Sequence, residues 1–375
     1  MKQVRVTGLV IYSSLFFFFF FLPPSPSQLH SLLTTPNSLE DTGPDLFVFD
    51  LSTMSLRNEL HLTERLLRGN IREGLILPMV GLLARLFPVP GLVLSLTLSQ
   101  AVLLLVKTTV CFVCHLYVFE LINQVTSVAE DAANKPYRPI PSGLLSVRGA
   151  HRRWAISWVV CPLAAAYIFG NGAESGWLFV EYEAWTYFCY VWPRPNNWFF
   201  RNAFATVGTY NMFRLLDTVI QSTVPTFPVL PTRVILALAA WVMATVQMQE
   251  FQDVEGDRAT NKRTLAVIVG PRGERVLRAV TALLVLGAGA VLLGVTYTCL
   301  GRDVSAGMDS AWLLSGMGLT SALYTLFAVV VGVRLHLDGG IAFDRKTYKR
   351  FYMLAAYMMV GYLSFWNTWA RRVEW

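Results

Sequence analysis

The amino-acid sequence predicts an all-α, polytopic membrane protein with about nine transmembrane helices. Of its 375 residues, 54% are hydrophobic and only 15% are charged, and its mean hydropathy of +0.47 exceeds what a single soluble core can bury. The apolar residues are collected in stretches of about twenty, the length that crosses a bilayer. The basic residues are concentrated in alternate loops between those stretches, which is typical of membrane topology.

The predicted spans follow one another along the chain with short connections. The boundary between the first two spans is the least sharp, because Pro88, Pro90 and Lys107 interrupt the apolar pattern there. Since no long hydrophilic segment separates the spans, we expect one transmembrane domain over residues 71–375. The spans are predicted at residues 73–90, 94–122, 152–170, 175–192, 198–220, 233–250, 277–298, 310–333 and 350–370.

The distribution of charge orients the predicted bundle. Basic residues precede the first span and follow the second, sixth and eighth, so the positive-inside rule places these loops in the cytoplasm. Arg371 and Arg372 depart from this rule, because nine spans put them on the opposite side. Topology thus explains the formal charge of +7, and we expect the lipid bilayer, with no nucleic acid, as a partner. We expect a multi-pass protein of the endoplasmic reticulum or another internal membrane.

Residues 1–70 form a separate N-terminal region. An apolar run from Leu9 to Leu22 follows Lys2 and Arg5 and precedes two prolines. This run is too short for a span and resembles the core of a signal peptide, so we expect a targeting or interfacial segment. The remainder is rich in Ser, Pro, Thr and Asn, which predicts a poorly ordered arm.

The cysteines predict neither a disulfide framework nor a metal centre. Most lie inside predicted spans. Cys111, Cys114 and His115 lie close together in the second span, but the sequence offers no second pair of ligands for a metal. We therefore interpret these three residues as packing residues.

The first cluster of polar residues closes the second span and reads NQVTSVAEDAANKPYRPIPSG. Asn123, Ser127 and Asp131 are four residues apart and therefore fall on one face of a helix. Lys135 and Arg138 follow in a loop stiffened by prolines. The pattern predicts an amide, a carboxylate and two cations around one mouth.

The second polar cluster, EFQDVEGDRATNKRTL, closes the sixth span. Glu250, Asp253 and Asp257 follow the spacing i, i+3, i+7 and fall on one helix face. Three carboxylates so close repel one another unless a divalent cation lies among them. Lys262 and Arg263 follow as candidate ligands of phosphate oxygens. Mg²⁺ accepts one or two carboxylates and completes its shell with water and phosphate, so it suits this pattern.

Taken alone, the charged residues of each cluster also fit a solvated helix end, which usually carries charges. Together they favour a site, because both fall on the predicted cytoplasmic side and acids near membrane depth are costly unless they serve a function. The two clusters therefore predict a magnesium-dependent site for a ligand that carries phosphate.

The clusters resemble the two signatures of the UbiA prenyltransferase superfamily. The first signature, N-D-x-x-D-x-x-x-D followed by R-P-[LI]-P-S-G, is anchored by the run KPYRPIPSG. This alignment puts Gln124 and Ser127 where the superfamily has Asp, with Asp131 on the third acidic position. The second signature, D-x-x-x-D with K/R-x-T-L, is intact. It comprises Asp253, Glu255, Gly256, Asp257, Arg263, Thr264 and Leu265.

This resemblance implies a bundle around a central cavity, in which two acidic motifs at the cytoplasmic mouth bind an isoprenyl diphosphate through Mg²⁺. The implied chemistry is ionisation of the allylic C–O bond, with cations stabilising the departing diphosphate. The expected catalytic residues are Asp131, Asp253 and Asp257. The expected metal ligands are Asn123, Asp131, Glu250, Asp253 and Asp257. The expected substrate-binding residues are Asn123, Lys135, Arg138, Lys262 and Arg263.

The reduced first motif predicts weaker binding of magnesium, because Gln124 and Ser127 offer neutral oxygens in place of carboxylates. Glu130 carries a charge beside Asp131, but on a continuous helix it projects about 100° away. It reaches the mouth only if the helix unwinds locally.

Three functions fit this sequence. The departures in the first motif are similar to the fungal branch of the superfamily, which includes membrane-bound terpene cyclases, so we expect a cyclase of C15 or C20 diphosphates in terpenoid biosynthesis. The alternative is a prenyltransferase that uses an aromatic or lipid acceptor. A non-catalytic membrane transporter or receptor is the alternative of another class, and a transporter predicts broken helices near the midplane of the membrane.

Overall fold

The computed structural model describes residues 55–306, 310–337 and 339–373. These residues form helices and no strand, which confirms the predicted all-α class. Short π-helical turns occupy Arg72–Ile76, Ala165–Phe169 and Thr347–Tyr352, and a 3₁₀ helix occupies Val246–Gln252. The α-helices are α1 (Leu56–Leu67), α2 (Leu77–Leu86), α3 (Pro90–Leu94), α4 (Leu98–Thr126), α5 (Val128–Asn134), α6 (Val147–Ala164), α7 (Ala173–Tyr190), α8 (Trp198–Thr223), α9 (Thr232–Thr245), α10 (Val254–Ala259), α11 (Leu265–Ala306), α12 (Ala311–Leu337), α13 (Ile341–Lys346) and α14 (Met353–Val373).

Polar side chains in the loops fix where the long helices begin. At the start of α4, the Thr97 hydroxyl accepts a hydrogen bond from the Gln100 amide, and the Gln100 side chain accepts one from the Thr97 amide. Ser146 caps α6 by accepting from the Gly149 amide at 3.0 Å, and Asn197 caps α8. These caps set the register of the helices that surround the site.

The outer surface of the bundle is apolar. Val102 on α4, Leu283 on α11 and Leu326 on α12 are among many large apolar side chains that are exposed, and such a surface requires lipid. Each of the nine predicted spans falls on a helical segment, but the count of nine stays a prediction. Four described helices are by themselves long and apolar enough to cross a membrane: Leu98–Thr126, Thr232–Gln252, Leu265–Val304 and Ala311–Leu337.

The helices pack as neighbours that surround an internal space. Helix α8 packs against α7 and α9, α4 packs against α6, and α12 packs between α11 and α14. Phe112 on α4, Phe179 on α7 and Leu215 on α8 are completely buried in this core. Tyr324 on α12 is also buried and donates a hydrogen bond to the Val285 carbonyl at 3.0 Å.

Helix α1 lies within the region predicted as a poorly ordered arm. Its Leu62 and Leu66 are buried against Leu121 and Ala150, so this part of the chain packs on α4 and α6. Residues 1–54, including the predicted targeting segment, lie outside the described residues. The division of the chain at residue 70 stays a prediction.

Candidate active site

A cavity of about 650 Å³ lies between α4, α7, α8, α9 and α14. Arg201 and Met212 both line it, and on one helix they lie roughly 16 Å apart, so the cavity extends deep into the bundle. Its polar wall, at the ends of the helices, includes Glu130, Arg194, Arg201, Glu250, Asp253 and Lys262. Its apolar wall includes Phe119, Tyr182, Phe204, Trp241 and Tyr352.

The first polar cluster does not lie on one helical face as expected. Helix α4 ends at Thr126, Ser127 leaves the helical conformation with φ −125° and ψ 24°, and α5 begins at Val128. Glu130 lines the cavity, whereas Asp131 does not. The expected shared face is therefore wrong, and the local unwinding that Glu130 needs is present.

Asp131 belongs to a buried ion cluster beside the cavity. It is 1% exposed and accepts a hydrogen bond from Arg138 at 2.7 Å, and the same guanidinium lies 3.9 Å from Glu120. Asn70 donates to Glu120 at 2.6 Å. Burial raises the pKa of Asp131, and Arg138 opposes that rise. None of the predicted ligands Asp131, Arg138 and Asn123 lines the cavity. Arg138 instead anchors the proline-rich loop to α4 through its contact with Glu120.

The second polar cluster is bent. The 3₁₀ helix ends at Gln252, Asp253 takes φ −113° and ψ 3°, and α10 then begins. The expected continuous face of three acids is therefore interrupted at Asp253. Glu250 and Asp253 line the cavity, whereas Asp257 is 1% exposed behind its wall.

Two cations link these acids. Arg201 lies 3.7 Å from the Glu250 carboxylate and 3.9 Å from that of Asp257. Lys262 forms an ion pair with Glu130 and lies 3.7 Å from Asp257. Burial acts to raise the pKa of Glu130, but Lys262 holds that pKa below its ordinary value. Carboxylates and cations therefore alternate around the polar end of the cavity.

The structure brings the two polar clusters together at one end of the bundle. Besides the Lys262–Glu130 pair, Lys135 of the first cluster lies 3.7 Å from Asp253 of the second. Lys262 is the predicted substrate-binding residue that lines the cavity. Arg263 is fixed by its backbone amide, which donates to Asn196 at 2.8 Å, and its side chain is not part of the wall.

The donor set of this end fits Mg²⁺. Both carboxylate oxygens of Asp257 are buried and have no hydrogen-bond partner among the described residues. Burial raises the pKa of Asp257, and Arg201 and Lys262 oppose that rise. Within the described ranges, no three acidic, His or Cys side chains converge into a complete metal cage. A cation that takes few carboxylates and completes its shell with water and phosphate oxygens suits this arrangement.

Arg201 and Arg194 are functional candidates that the sequence analysis missed. Arg201 stands alone in the aromatic segment WFFRNAF, and a lone charge near membrane depth is a signal of function. Arg194 lines the cavity and donates to the Thr126 carbonyl at 2.8 Å, next to the break at Ser127. Sequence offers no comparable signal for Arg194, because it lies in a loop.

The aromatic rings of the apolar end are fixed in place. Trp241 and Tyr352 stack with centroids 5.2 Å apart and planes 9° apart. Trp241 donates to the Tyr324 hydroxyl at 2.9 Å, and the Tyr352 hydroxyl is hydrogen-bonded to Thr245 at 2.8 Å. The stacking and these hydrogen bonds therefore hold both rings in fixed positions in the cavity wall.

His115, interpreted from sequence as a packing residue, lines this apolar end. It is 3% exposed and stacks on Tyr182 with centroids 3.5 Å apart. Its Nε2 atom is buried without a hydrogen-bond partner in the described part of the chain. The Asn211 carboxamide is its polar neighbour.

Fold and site together define an integral membrane protein that combines an ionic end and an aromatic end in one cavity. The profile of the UbiA prenyltransferase family matches residues 86–336, and the chain belongs to this family.

Two fungal relatives from Hericium erinaceus are similar over 238 residues, 62% of this chain. Polyprenyl transferase eriF is 31% identical over 72% of its own length, and Diterpene cyclase eriG is 29% identical over 67%. A solved UbiA homolog from Archaeoglobus fulgidus bound to GPP and Mg²⁺ covers 80% of this chain and 99% of its own, at 18% identity and a TM-score of 0.46.

Proposed function

We propose that this protein is a membrane-bound terpene cyclase that ionises a C15 or C20 isoprenyl diphosphate with Mg²⁺ and closes the isoprenyl chain on itself, releasing diphosphate. The observation that carries the proposal is the division of one cavity into an ionic end and an aromatic end. The ionic end suits the diphosphate, and the aromatic end suits a carbocation.

The ionic end binds and stabilises the departing diphosphate. Arg194, Arg201 and Lys262 supply positive charge to its oxygens, which is stabilisation of charge that develops in the transition state. Glu130, Glu250 and Asp253, which line the cavity, are the residues that would hold Mg²⁺, and Asp257 adds its buried charge from behind the wall. Bound magnesium would neutralise charge on the leaving group.

The aromatic end holds the apolar chain and the allylic cation. The faces of Tyr182, Trp241 and Tyr352 each stabilise a nearby positive charge by roughly 0.5–2 kcal/mol. Because Trp241 and Tyr352 are tethered through their polar atoms, their faces keep a fixed shape against which the chain folds.

His115 is the proposed acceptor of the final proton. Loss of a proton from a carbon next to the cation breaks a C–H bond, whose electrons form the new C=C bond. The neutral imidazole receives that proton on its unpartnered Nε2. The resulting imidazolium is stabilised by the stacked ring of Tyr182.

A prenyltransferase remains the second candidate, because eriF, a polyprenyl transferase by name, is about as similar as the diterpene cyclase eriG. It would use the same ionisation, with an aromatic or lipid acceptor capturing the cation. A transporter is disfavoured, since the helix breaks at Ser127 and Asp253 lie at the polar end of the bundle.

Separate incubations with C10, C15 and C20 diphosphates test the proposal. Purified protein receives Mg²⁺ and one diphosphate, without any acceptor, and both diphosphate and hydrocarbon products are measured. Equal amounts of released diphosphate and cyclic product are expected from a C15 or C20 substrate. Release that depends on an added acceptor would establish the transferase instead, and binding without release would favour the non-catalytic class.

A further inference from the structure

A second cavity, of about 430 Å³, lies at the end of the bundle opposite the polar clusters. Helix α8 carries Arg201 near its start and leads at its other end to Phe227, which lines this second cavity. Helix α14 begins at Met353 in the wall of the first cavity and ends beside Arg371 in the wall of the second. The two sites are thus separated by the length of the bundle.

The second cavity is positively charged. Arg85, Arg371 and Arg372 line it, and Asp217 lies 2.9 Å from Arg85 as the counter-charge. Three guanidinium groups and one carboxylate leave two positive charges uncompensated within this group. Arg85 and Arg371 also repel each other electrostatically.

Two charged donors of this cavity are unused. Arg85 is 6% exposed, and the Nε atoms of Arg85 and Arg371 are both buried without a hydrogen-bond partner among the described residues. Nearby acceptors already serve other donors: the Val229 carbonyl accepts from Arg371 Nη2 at 2.6 Å, and Asp217 accepts from the Leu230 amide at 2.8 Å. A buried donor on a charged group is costly when unpaired, so these two Nε atoms favour the binding of an anion.

We propose that this cavity binds the phosphate group of an anionic ligand, either a phospholipid or free phosphate. Guanidinium groups match phosphate oxygens in geometry and charge. Ser364 and Thr368 add hydroxyl groups to the wall, and Val89 adds apolar surface. The proposal also explains why Arg371 and Arg372 depart from the positive-inside rule, since they serve a binding site. It does not rest on the proposed cyclase activity.

Binding to the purified full-length protein tests this assignment. One sample is reconstituted in phosphatidylcholine nanodiscs, a second in nanodiscs that also contain phosphatidylglycerol, and a third in phosphatidylcholine with added inorganic phosphate. Retained lipid is measured by native mass spectrometry and stability by the melting temperature. We expect phosphatidylglycerol to be retained over phosphatidylcholine and to stabilise the protein.

The variant carrying Arg371→Gln and Arg372→Gln should retain phosphatidylglycerol at least about tenfold less, because two charge-assisted contacts are lost. Arg302→Gln, at the same end but outside the cavity wall, is the matched control and should retain it normally. Arg371→Lys, measured only in its folded, monodisperse fraction, should fall between wild type and the double variant. Stabilisation by inorganic phosphate that the double variant loses would support the site with free phosphate as its ligand. Equal binding of both ligands by wild type and the double variant, or binding of neither by wild type, would overturn the proposal.

Discussion

Neighbouring carboxylates on α5 have different surroundings and therefore different tasks. Glu130 lines the cavity and pairs with Lys262, a cation that a bound diphosphate would also attract. Asp131 forms an ion pair with Arg138, which also lies near Glu120. We therefore propose that the first residue acts in the site and that the second holds the loop beside it.

Glu130→Gln and Asp131→Asn should consequently fail in different ways. The first removes a carboxylate from the wall, so the Mg²⁺ concentration for half-maximal diphosphate release should rise at least several-fold. The second breaks a buried ion pair, which should lower the melting temperature by roughly 5 °C or more. Magnesium titrations and melting curves on both variants provide the test. If only Asp131→Asn changed the magnesium requirement, Asp131 and not Glu130 would be the metal ligand.

Asp257 has buried carboxylate oxygens without hydrogen-bond partners among the described residues, and its charge is offset by Arg201 at 3.9 Å and Lys262 at 3.7 Å. Asp257→Asn should reduce diphosphate release on the order of 100-fold, since it removes charge stabilisation from the site. Arg258→Gln, an exposed charged residue on the same short helix, serves as the control and should keep its activity. Normal turnover by a folded Asp257→Asn protein would refute the role of this carboxylate.

His115→Phe should preserve ionisation but change the products. The Phe ring keeps the stack on Tyr182, whereas the proton acceptor is lost. Diphosphate release should stay within several-fold of wild type, and gas chromatography should show other alkene isomers or alcohols formed by water capture. Cys111→Ala, one turn away and completely buried, is the control variant. An unchanged product mixture in His115→Phe would exclude this role for the imidazole.

At the scale of the elements, the helices were predictable and their interruptions were not. Twenty-residue apolar stretches identify the helices because lipid imposes the length. The breaks at Ser127 and Asp253 accompany contacts between distant parts of the chain, such as the Lys262–Glu130 pair, and no local pattern contains such contacts. The structure brings both predicted polar clusters to one end of the bundle, and there Glu130 lines the cavity whereas Asp131 does not.

The superfamily signature has Asp at the positions of Gln124 and Ser127. Because α4 ends between these two positions, introducing Asp at each should have a different effect. Ser127 lines the cavity, so Ser127→Asp should lower the magnesium concentration needed for half-maximal activity. Gln124 is buried and donates to Glu120 at 3.3 Å, so Gln124→Asp places two carboxylates together and should destabilise the protein by on the order of 3 kcal/mol. Magnesium titration and thermal melting distinguish the two results. A lower magnesium requirement in Gln124→Asp would contradict this division.

At the scale of the whole molecule, ion pairs between the two acidic segments require one membrane face for both. Glu130 contacts Lys262 and Lys135 contacts Asp253, and neither pair can form across a bilayer. The arginine-lined cavity lies at the other end of the bundle. The molecule thus has two chemically distinct ends, one with alternating charges and one with excess positive charge.

Cysteine labelling in sealed membrane vesicles tests this arrangement. Ala132→Cys and Glu255→Cys place thiols at exposed positions of the two acidic segments, and Arg302→Cys places one at the opposite end. A membrane-impermeant maleimide should label the first two from the cytosolic side and the third only from the other side, because the reagent cannot cross about 30 Å of hydrocarbon. Wild-type protein measures background labelling, since Cys111, Cys161 and Cys299 are buried whereas Cys114 and Cys189 are partly exposed. The three thiols are therefore introduced into a protein in which Cys114 and Cys189 are replaced by Ala. Labelling of the two acidic segments from opposite faces would separate the halves of the proposed site, and the diphosphate site built on them would then have to be abandoned.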